Sequence, residues 1–431
     1  MTQLKQVKWP GLWVAVIWIT TRVPILSGAT IMTGDIFYYY HQLAGLSSGG
    51  PGQVLVEYPT PVIAILTIPA PFSGGTDWGY VLAFISFTLV IDAAFTALLW
   101  FTSGSRRVLA TGFWLLFSLT TGGLLVTRLD ILPSLAVALA IIAWGRGRPG
   151  WAGTAIAVGG ALKLWPALLI LPLLALKRDR IKALTGFVVT GASLAGISFL
   201  WAGWDRLLSP LTWQTERGLQ IESVWATLPM LGRVFSPEKF PVTYAASNSF
   251  EISGPGTEAL ASAARISLPL AIALLLASIL VWLVRGPVSA SEGMVLMLLV
   301  PTIMACSSVV LSPQYILWLG MPAAAIIAVT PVDRPPSGIS QRGALGMVTL
   351  LLFTSATTQM IYPVSYGTLF RIAPGLELAT LALLVRQVVL LIWTALCLAW
   401  WLRVLFWSKP DTNADTRPVS QPQGALFDDY R

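Results

Sequence analysis

Charge is what this chain has least of. Of its 431 residues only 11% are Asp, Glu, Lys or Arg, against about a quarter in a soluble domain. So few charges cannot cover a water-facing surface, and 55% of the residues are hydrophobic. Most of the chain must face lipid or other helices. Histidine occurs once, as His41, which excludes a multi-histidine metal site. The two cysteines, Cys306 and Cys397, both fall in apolar runs, which excludes a disulfide framework or a cysteine metal site. There is no acidic cluster of the kind that holds a hard cation, so neither a metal nor a cofactor is expected. The net charge of +8 would suggest nucleic acid in a soluble protein. Here the basic residues sit in short clusters between apolar runs, which is the positive-inside pattern of a membrane protein, and no nucleic-acid partner is expected.

Tryptophan is abundant, at 19 residues, as belts at two membrane interfaces require. Apolar runs predict an all-α polytopic membrane protein of about twelve spans: 9–27, 79–101, 108–126, 129–145, 151–162, 164–176, 183–201, 264–284, 293–311, 315–330, 343–361 and 376–403. The pair at 151–176 is short. Two tilted helices or a re-entrant hairpin keep its flanking basic clusters on one side. Arg22, inside the first run, argues against a cleaved signal peptide. With both termini in the cytoplasm, the inside loops collect most of the basic residues. Residues 1–408 then form one transmembrane domain, with long outer segments at about 28–78 and 202–262, and 409–431 form a disordered cytoplasmic tail. An apolar piece, Val62 to Ala70, is too short to span and is expected along the membrane surface.

Polar residues near the outer ends of the spans are the candidates for chemistry, because ionisable groups at membrane depth are costly. Asp35, in Gly34-Asp35-Ile36-Phe37-Tyr38, reads either as a base for a sugar hydroxyl or as the N-cap of a helix. Lys163 lies at the apex of the short pair and reads as a phosphate ligand or as a snorkelling lysine. Thr127-Arg128-Leu129-Asp130 reads as a charged wall of a cleft or as a turn with a local Arg–Asp pair. In the second outer segment, Arg217 and Gln220 are three apart, as are Glu222 and Trp225, spacings that share a helix face. Gln314 and Tyr315 suit hydroxyl recognition, or close a proline turn. Asp92 and Arg386, within spans, read as partners inside the bundle.

These motifs, in order, resemble a known family. The set is the Gly34-Asp35 aromatic run, Tyr58-Pro59-Thr60-Pro61, Arg128-Leu129-Asp130-Ile131-Leu132-Pro133, Lys163-Leu164-Trp165-Pro166 with Pro172, and Ser312-Pro313-Gln314-Tyr315 with Trp318. Together they are similar to glycosyltransferase family 87, the polyprenyl-phosphate-mannose-dependent alpha-1,2-mannosyltransferases of actinobacteria, which have the GT-C fold. The resemblance implies an inverting transfer from a lipid-linked sugar donor to a glycolipid or glycan acceptor hydroxyl, on the extracytoplasmic side of the plasma membrane. It implies Asp35 as general base, and Lys163, Arg217 and then Arg128 as donor-phosphate ligands. Tyr38, Tyr58, Asp130, Gln220, Glu222, Trp225, Gln314 and Tyr315 would contact substrate. Some mycobacterial members are histidine-rich where this chain has Gln314-Tyr315, so no role for that histidine carries over.

Two other classes compete. A lipid or sugar transporter would also have about twelve spans, but its charges would gather near the midplane between inverted repeats. Here they gather at outer tips and no repeat is evident. A non-catalytic assembly subunit would share the architecture without turning over a donor.

Overall fold

A computed structural model describes residues 10–174, 179–213, 217–285, 293–330 and 340–407. The C-terminal tail lies outside the described residues. Among the described residues the regular structure is helical except for one two-stranded hairpin.

In chain order the main helices are α1 (Pro10–Ala29), α2 (Gly34–Ala44), α3 (Pro61–Leu66), α4 (Asp77–Thr102), α5 (Arg107–Thr121), α6 (Ile131–Gly145), α7 (Pro149–Leu162), α8 (Ile170–Leu174) and α9 (Arg180–Trp213). After them come α10 (Thr227–Phe235), strands β1 (Val242–Tyr244) and β2 (Phe250–Ile252), α11 (Thr257–Arg285), α12 (Leu296–Ser307), α13 (Leu317–Val329), α14 (Gln341–Gln359), α15 (Tyr366–Phe370) and α16 (Leu376–Trp407). The strands pair antiparallel, Val242 opposite Ile252 and Tyr244 opposite Phe250.

Each of the twelve expected spans coincides with helix, but only six helical segments among the described residues are long and apolar enough to cross a membrane: α1, α4, α9, α11, the α14–α15 run and α16. The others are short. α5, α6, α7, α12 and α13 have 12 to 15 residues, which at about 1.5 Å per residue is roughly 18–22 Å, less than a bilayer core of about 30 Å. Several short helices are central. α6 and α13 pack on each other, α6 also on α7 and α13 also on α5, with most of their side chains buried. The long helices expose rows of Leu, Ile, Val and Trp, as on α9 and α11. Apolar exposure on that scale suits lipid, and a sheath of spanning helices allows shorter ones inside to end at membrane depth, where protein satisfies the freed backbone groups.

The break at Lys163 is real. α7 ends at Leu162, and a 3-10 turn (Trp165–Leu169) folds back toward it before α8. α7 lies against α9 at very short range. A Cβ on Gly153 would strike the carbonyl of Ala183, and one on Gly186 the carbonyl of Gly150. Small residues let two backbones approach this closely in lipid. α9 runs on past its expected end, kinked at Gly203 in the left-handed region (φ 81°).

Two expectations about the outer segments change. The Val62–Ala70 piece does not lie exposed on the membrane: Val62, Ile63 and Leu66 of α3 are fully buried with Tyr39, Tyr80, Phe84 and Leu129. Tyr80 donates to the Leu66 carbonyl at 2.7 Å, which pins the end of α3. The segment around Gln220 is extended rather than helical. Gln220 bridges to Glu251 on β2, its amide donates to the Val309 carbonyl, and Ile221 donates to Phe250. The shared helix face expected for Arg217 and Gln220 is therefore absent.

Substituting Gly153 by Val should lower the thermal midpoint in detergent, since overpacking a tight contact costs about 1–3 kcal/mol. Gly196→Ala, in α9 with open space around the new methyl, should leave the midpoint level or slightly higher. Equal midpoints for Gly153→Val and wild type would contradict the close α7–α9 contact.

Candidate active site

The backbone breaks at three places inside the bundle: 127–130 between α5 and α6, Lys163 after α7, and the turn Pro313–Ile316 before α13. Residues from all three meet. The Asp130 carboxylate accepts from Lys163 Nζ and from Trp318 Nε1, each at 2.6 Å. The Lys163 ammonium lies 5.2 Å from the Tyr315 ring centre and 5.3 Å from that of Trp318. Tyr315 stacks on Trp318 at 3.8 Å, and Trp165 stacks on Trp318 at 4.9 Å. Lys163 does not snorkel into water; it is ion-paired and boxed by aromatic faces.

Arg128 turns to a different partner. Its Nη1 is 3.2 Å from Asp35 Oδ2, and its Nη2 donates to the Tyr362 hydroxyl at 2.6 Å. Longer contacts reach the carbonyls of Met32 and Thr127 at 3.4 Å, and its Nε is buried without a partner. The expected local Arg–Asp pair is thus replaced by two longer-range pairs. The cause is local. Arg128 is extended (φ −123°, ψ 140°), Asp130 is already helical (φ −61°, ψ −15°), and Leu129 between them is buried among the aromatics around α2 and α4.

Asp35 is not the cap of α2. Thr33 holds the N-cap position and Asp35 lies in the first turn, where the helix dipole favours a carboxylate. Three residues on, Tyr38 donates to Glu57 at 2.8 Å. Burial pushes the Glu57 carboxyl above the usual carboxylate range, against its own backbone, Tyr38, Arg206 and Arg217. Burial likewise raises the Tyr38 phenol, helped by Glu57 and Asp35. Tyr58 links the two halves: its phenol is raised by burial, then by the charges of Asp35 and Asp130, and it meets the Tyr39 hydroxyl at 3.3 Å. Arg217 is half-buried, donates to the Ser247 carbonyl between β1 and β2 at 3.4 Å, and its charge acts on Glu57.

The remaining candidates divide by burial. Gln314 and Tyr315 are half-buried. Trp225 is half-buried against the cluster around Leu219 and Ile221, with its indole nitrogen covered and unpartnered. Gln220 and Glu222 sit inside packed protein. The Gln220 side-chain oxygen accepts from the Leu311 amide at 2.9 Å. Glu222 is held by Arg386 at 2.7 Å, with the pair 0% and 1% exposed, and its carbonyl accepts from Arg386 and Gln387. Glu222 thus ties this segment to α16, and Gln220 ties it to the stretch around Leu311. Asp92 plays the same part elsewhere, accepting from Arg22 at 2.7 Å and from Trp18 and Trp114.

Residue-by-residue reading passed over Tyr362, Glu57 and Arg206. Arg206 donates to the carbonyls of Leu55 and Val54 and so shapes the loop that carries Glu57. The available signals were Glu57 directly before Tyr58-Pro59, and Tyr362-Pro363 breaking an apolar helix. Among the described residues no group of three His, Cys, Asp or Glu side chains is placed to hold a metal ion.

Breaking either fully buried pair should cost stability. Glu222→Gln or Asp92→Asn leaves an uncompensated arginine and should destabilise by about 3–5 kcal/mol, read as a lower thermal midpoint. His41→Asn should not, because its pair with Asp77 is open to solvent on both sides. If all three variants melt like wild type, the buried pairs do not carry the packing described here.

The model of glycosyltransferase family 87 matches residues 57–313, more than half of the chain. No curated protein and no solved structure matches.

Proposed function

This chain belongs to glycosyltransferase family 87, and on that premise we propose that it is an inverting mannosyltransferase of the GT-C fold. Its donor is polyprenyl-phosphate mannose, and its acceptor is a hydroxyl of a lipid or glycan. Asp35 takes the proton from that hydroxyl as the oxygen attacks the anomeric carbon from the side opposite the phosphate. The bond to the phosphate oxygen breaks, and polyprenyl phosphate leaves with the electron pair. Lys163 and Arg217 meet the growing phosphate charge. An inverting displacement needs one base and leaving-group stabilisation, and no covalent nucleophile or metal.

One observation supports this reading most. Asp35 keeps 38% of its side chain exposed and Lys163 23%, while the partners that hold them, Arg128 and Asp130, are 4% and 2% exposed. A base and a cation are thus held partly open on buried anchors, and one tyrosine, Tyr58, feels the charges of Asp35 and Asp130. Tyr38, Tyr315, Gln314 and Trp225 supply the mixture of hydroxyls, amide and aromatic faces that binds sugars. A transporter would place its charged path near the midplane between repeats. Family membership favours the enzyme.

The basic clusters of the loops support a site on the extracytoplasmic face of the plasma membrane, with both termini in the cytoplasm. Ser47 and Ser105 are both exposed, at opposite ends of this topology. A cysteine at Ser47 should react with an impermeant thiol reagent in intact cells, and one at Ser105 only after lysis. The reverse pattern would turn the topology over.

Asp35→Asn keeps the shape and removes the basicity. It should lower mannosyl transfer by purified protein by about 10²–10⁴-fold, the usual contribution of a positioned base. Transfer at near the wild-type rate would remove Asp35 from the mechanism.

A further inference from the structure

Four ion pairs among the described residues bury at least one partner, and they are of two kinds. Arg22–Asp92 and Arg386–Glu222 are buried on both sides, at 3% and 0%, and 1% and 0%. Such pairs join helices and offer nothing to a ligand. Arg128–Asp35 and Lys163–Asp130 are lopsided. In the first, a cation at 4% exposure holds a carboxylate at 38%. In the second, a carboxylate at 2% holds an ammonium at 23%. The two buried members are separated by one residue, Leu129, itself 2% exposed.

We propose that Arg128 and Asp130 are positioning residues, touching neither donor nor acceptor, and that this one break in the bundle serves two halves of the site. Arg128 fixes the base, and Asp130 fixes the phosphate-binding cation. The inference rests on Asp35 as base and Lys163 as phosphate ligand, and it removes Arg128 from the set of phosphate ligands. Both terminal nitrogens of Arg128 are already engaged, by Asp35 and by the Tyr362 hydroxyl. The Asp35 oxygen that faces Arg128 is Oδ2, which leaves Oδ1 to receive a proton. On the other side, Asp130 Oδ1 accepts from Trp318 as well as from Lys163, so the carboxylate is fixed by a second donor. Lys163 is then held by one carboxylate and two ring faces, with capacity left on its three N–H donors.

The consequence is a kinetic split between neighbours two residues apart. Loss of Asp130 should resemble loss of Lys163: weaker binding of a lipid phosphate. Loss of the Arg128 contacts should resemble a partial loss of Asp35: slower turnover with lipid-phosphate binding unchanged.

The test uses full-length purified protein and polyprenyl phosphate alone as probe, with binding read by native mass spectrometry and turnover read with polyprenyl-phosphate mannose. Lys163→Met and Asp130→Asn should each weaken binding at least tenfold. Asp130→Glu, which keeps the charge but displaces it, covers the case in which Asp130→Asn fails to fold, and should weaken binding in the same direction. Arg128→Lys and Tyr362→Phe should bind within twofold of wild type while turnover falls at least tenfold. Binding lost in Arg128→Lys to the extent of Lys163→Met would make Arg128 a phosphate ligand and overturn the inference. So would a loss in Lys163→Met with none in either Asp130 variant. If Lys163→Met itself binds as wild type, the donor reading of Lys163 fails, and the Asp130 half of the inference fails with it.

Discussion

Arg128 and Asp130 carry opposite charges two residues apart, yet the backbone does not let them pair. The chain is extended at Arg128 and helical at Asp130, and Leu129 is buried between them. Each charge therefore needs a distant partner, since a buried ion left alone costs several kcal/mol. Arg128 finds Asp35 from α2 and Tyr362 from the break after α14. Asp130 finds Lys163 after α7 and Trp318 in α13. Four elements far apart in sequence are thus tied to one short segment.

That segment exists because the central helices are short. A helix of full span would carry its polar ends out to the interface. α5, α6, α7 and α13 stop earlier, and α6 and α13 do so almost wholly buried among other helices. Irregular backbone at this depth is tolerated only where protein or a water-lined cavity satisfies it. Here the freed ends are where the ion pairs and the Trp165–Trp318–Tyr315 stack are found. The bundle and the candidate site are solutions to the same constraint.

Much of this was legible from the sequence, for physical reasons. Long apolar runs give helices, so every expected span coincides with one. Asp92 and Arg386, as charges within spans, had to find partners, and they did. The break at Lys163 followed from two basic clusters that had to stay on one side. What the sequence hid depends on three-dimensional neighbours. A 13-residue apolar helix buried among others looks the same in sequence as part of a spanning one, so the described residues hold six helical segments of spanning length where twelve spans were expected. The i, i+3 spacing of Arg217 and Gln220 fits a helix, but the segment is held straight by the bond from Gln220 to Val309 and by those joining Ile221 to Phe250 and Ile252 to Leu219, far along the chain. Tyr362 and Glu57 matter only through Arg128 and Tyr38, contacts that no local pattern announces.

What the two halves of the break hold is tested most directly by a structure of the protein with polyprenyl phosphate bound. The phosphate is expected within hydrogen-bond distance of Lys163 Nζ, with Asp130 still paired to Lys163 and Arg128 still paired to Asp35. A phosphate seated on Arg128, with Asp35 displaced from it, would contradict the assignment of Arg128 as the residue that positions the base.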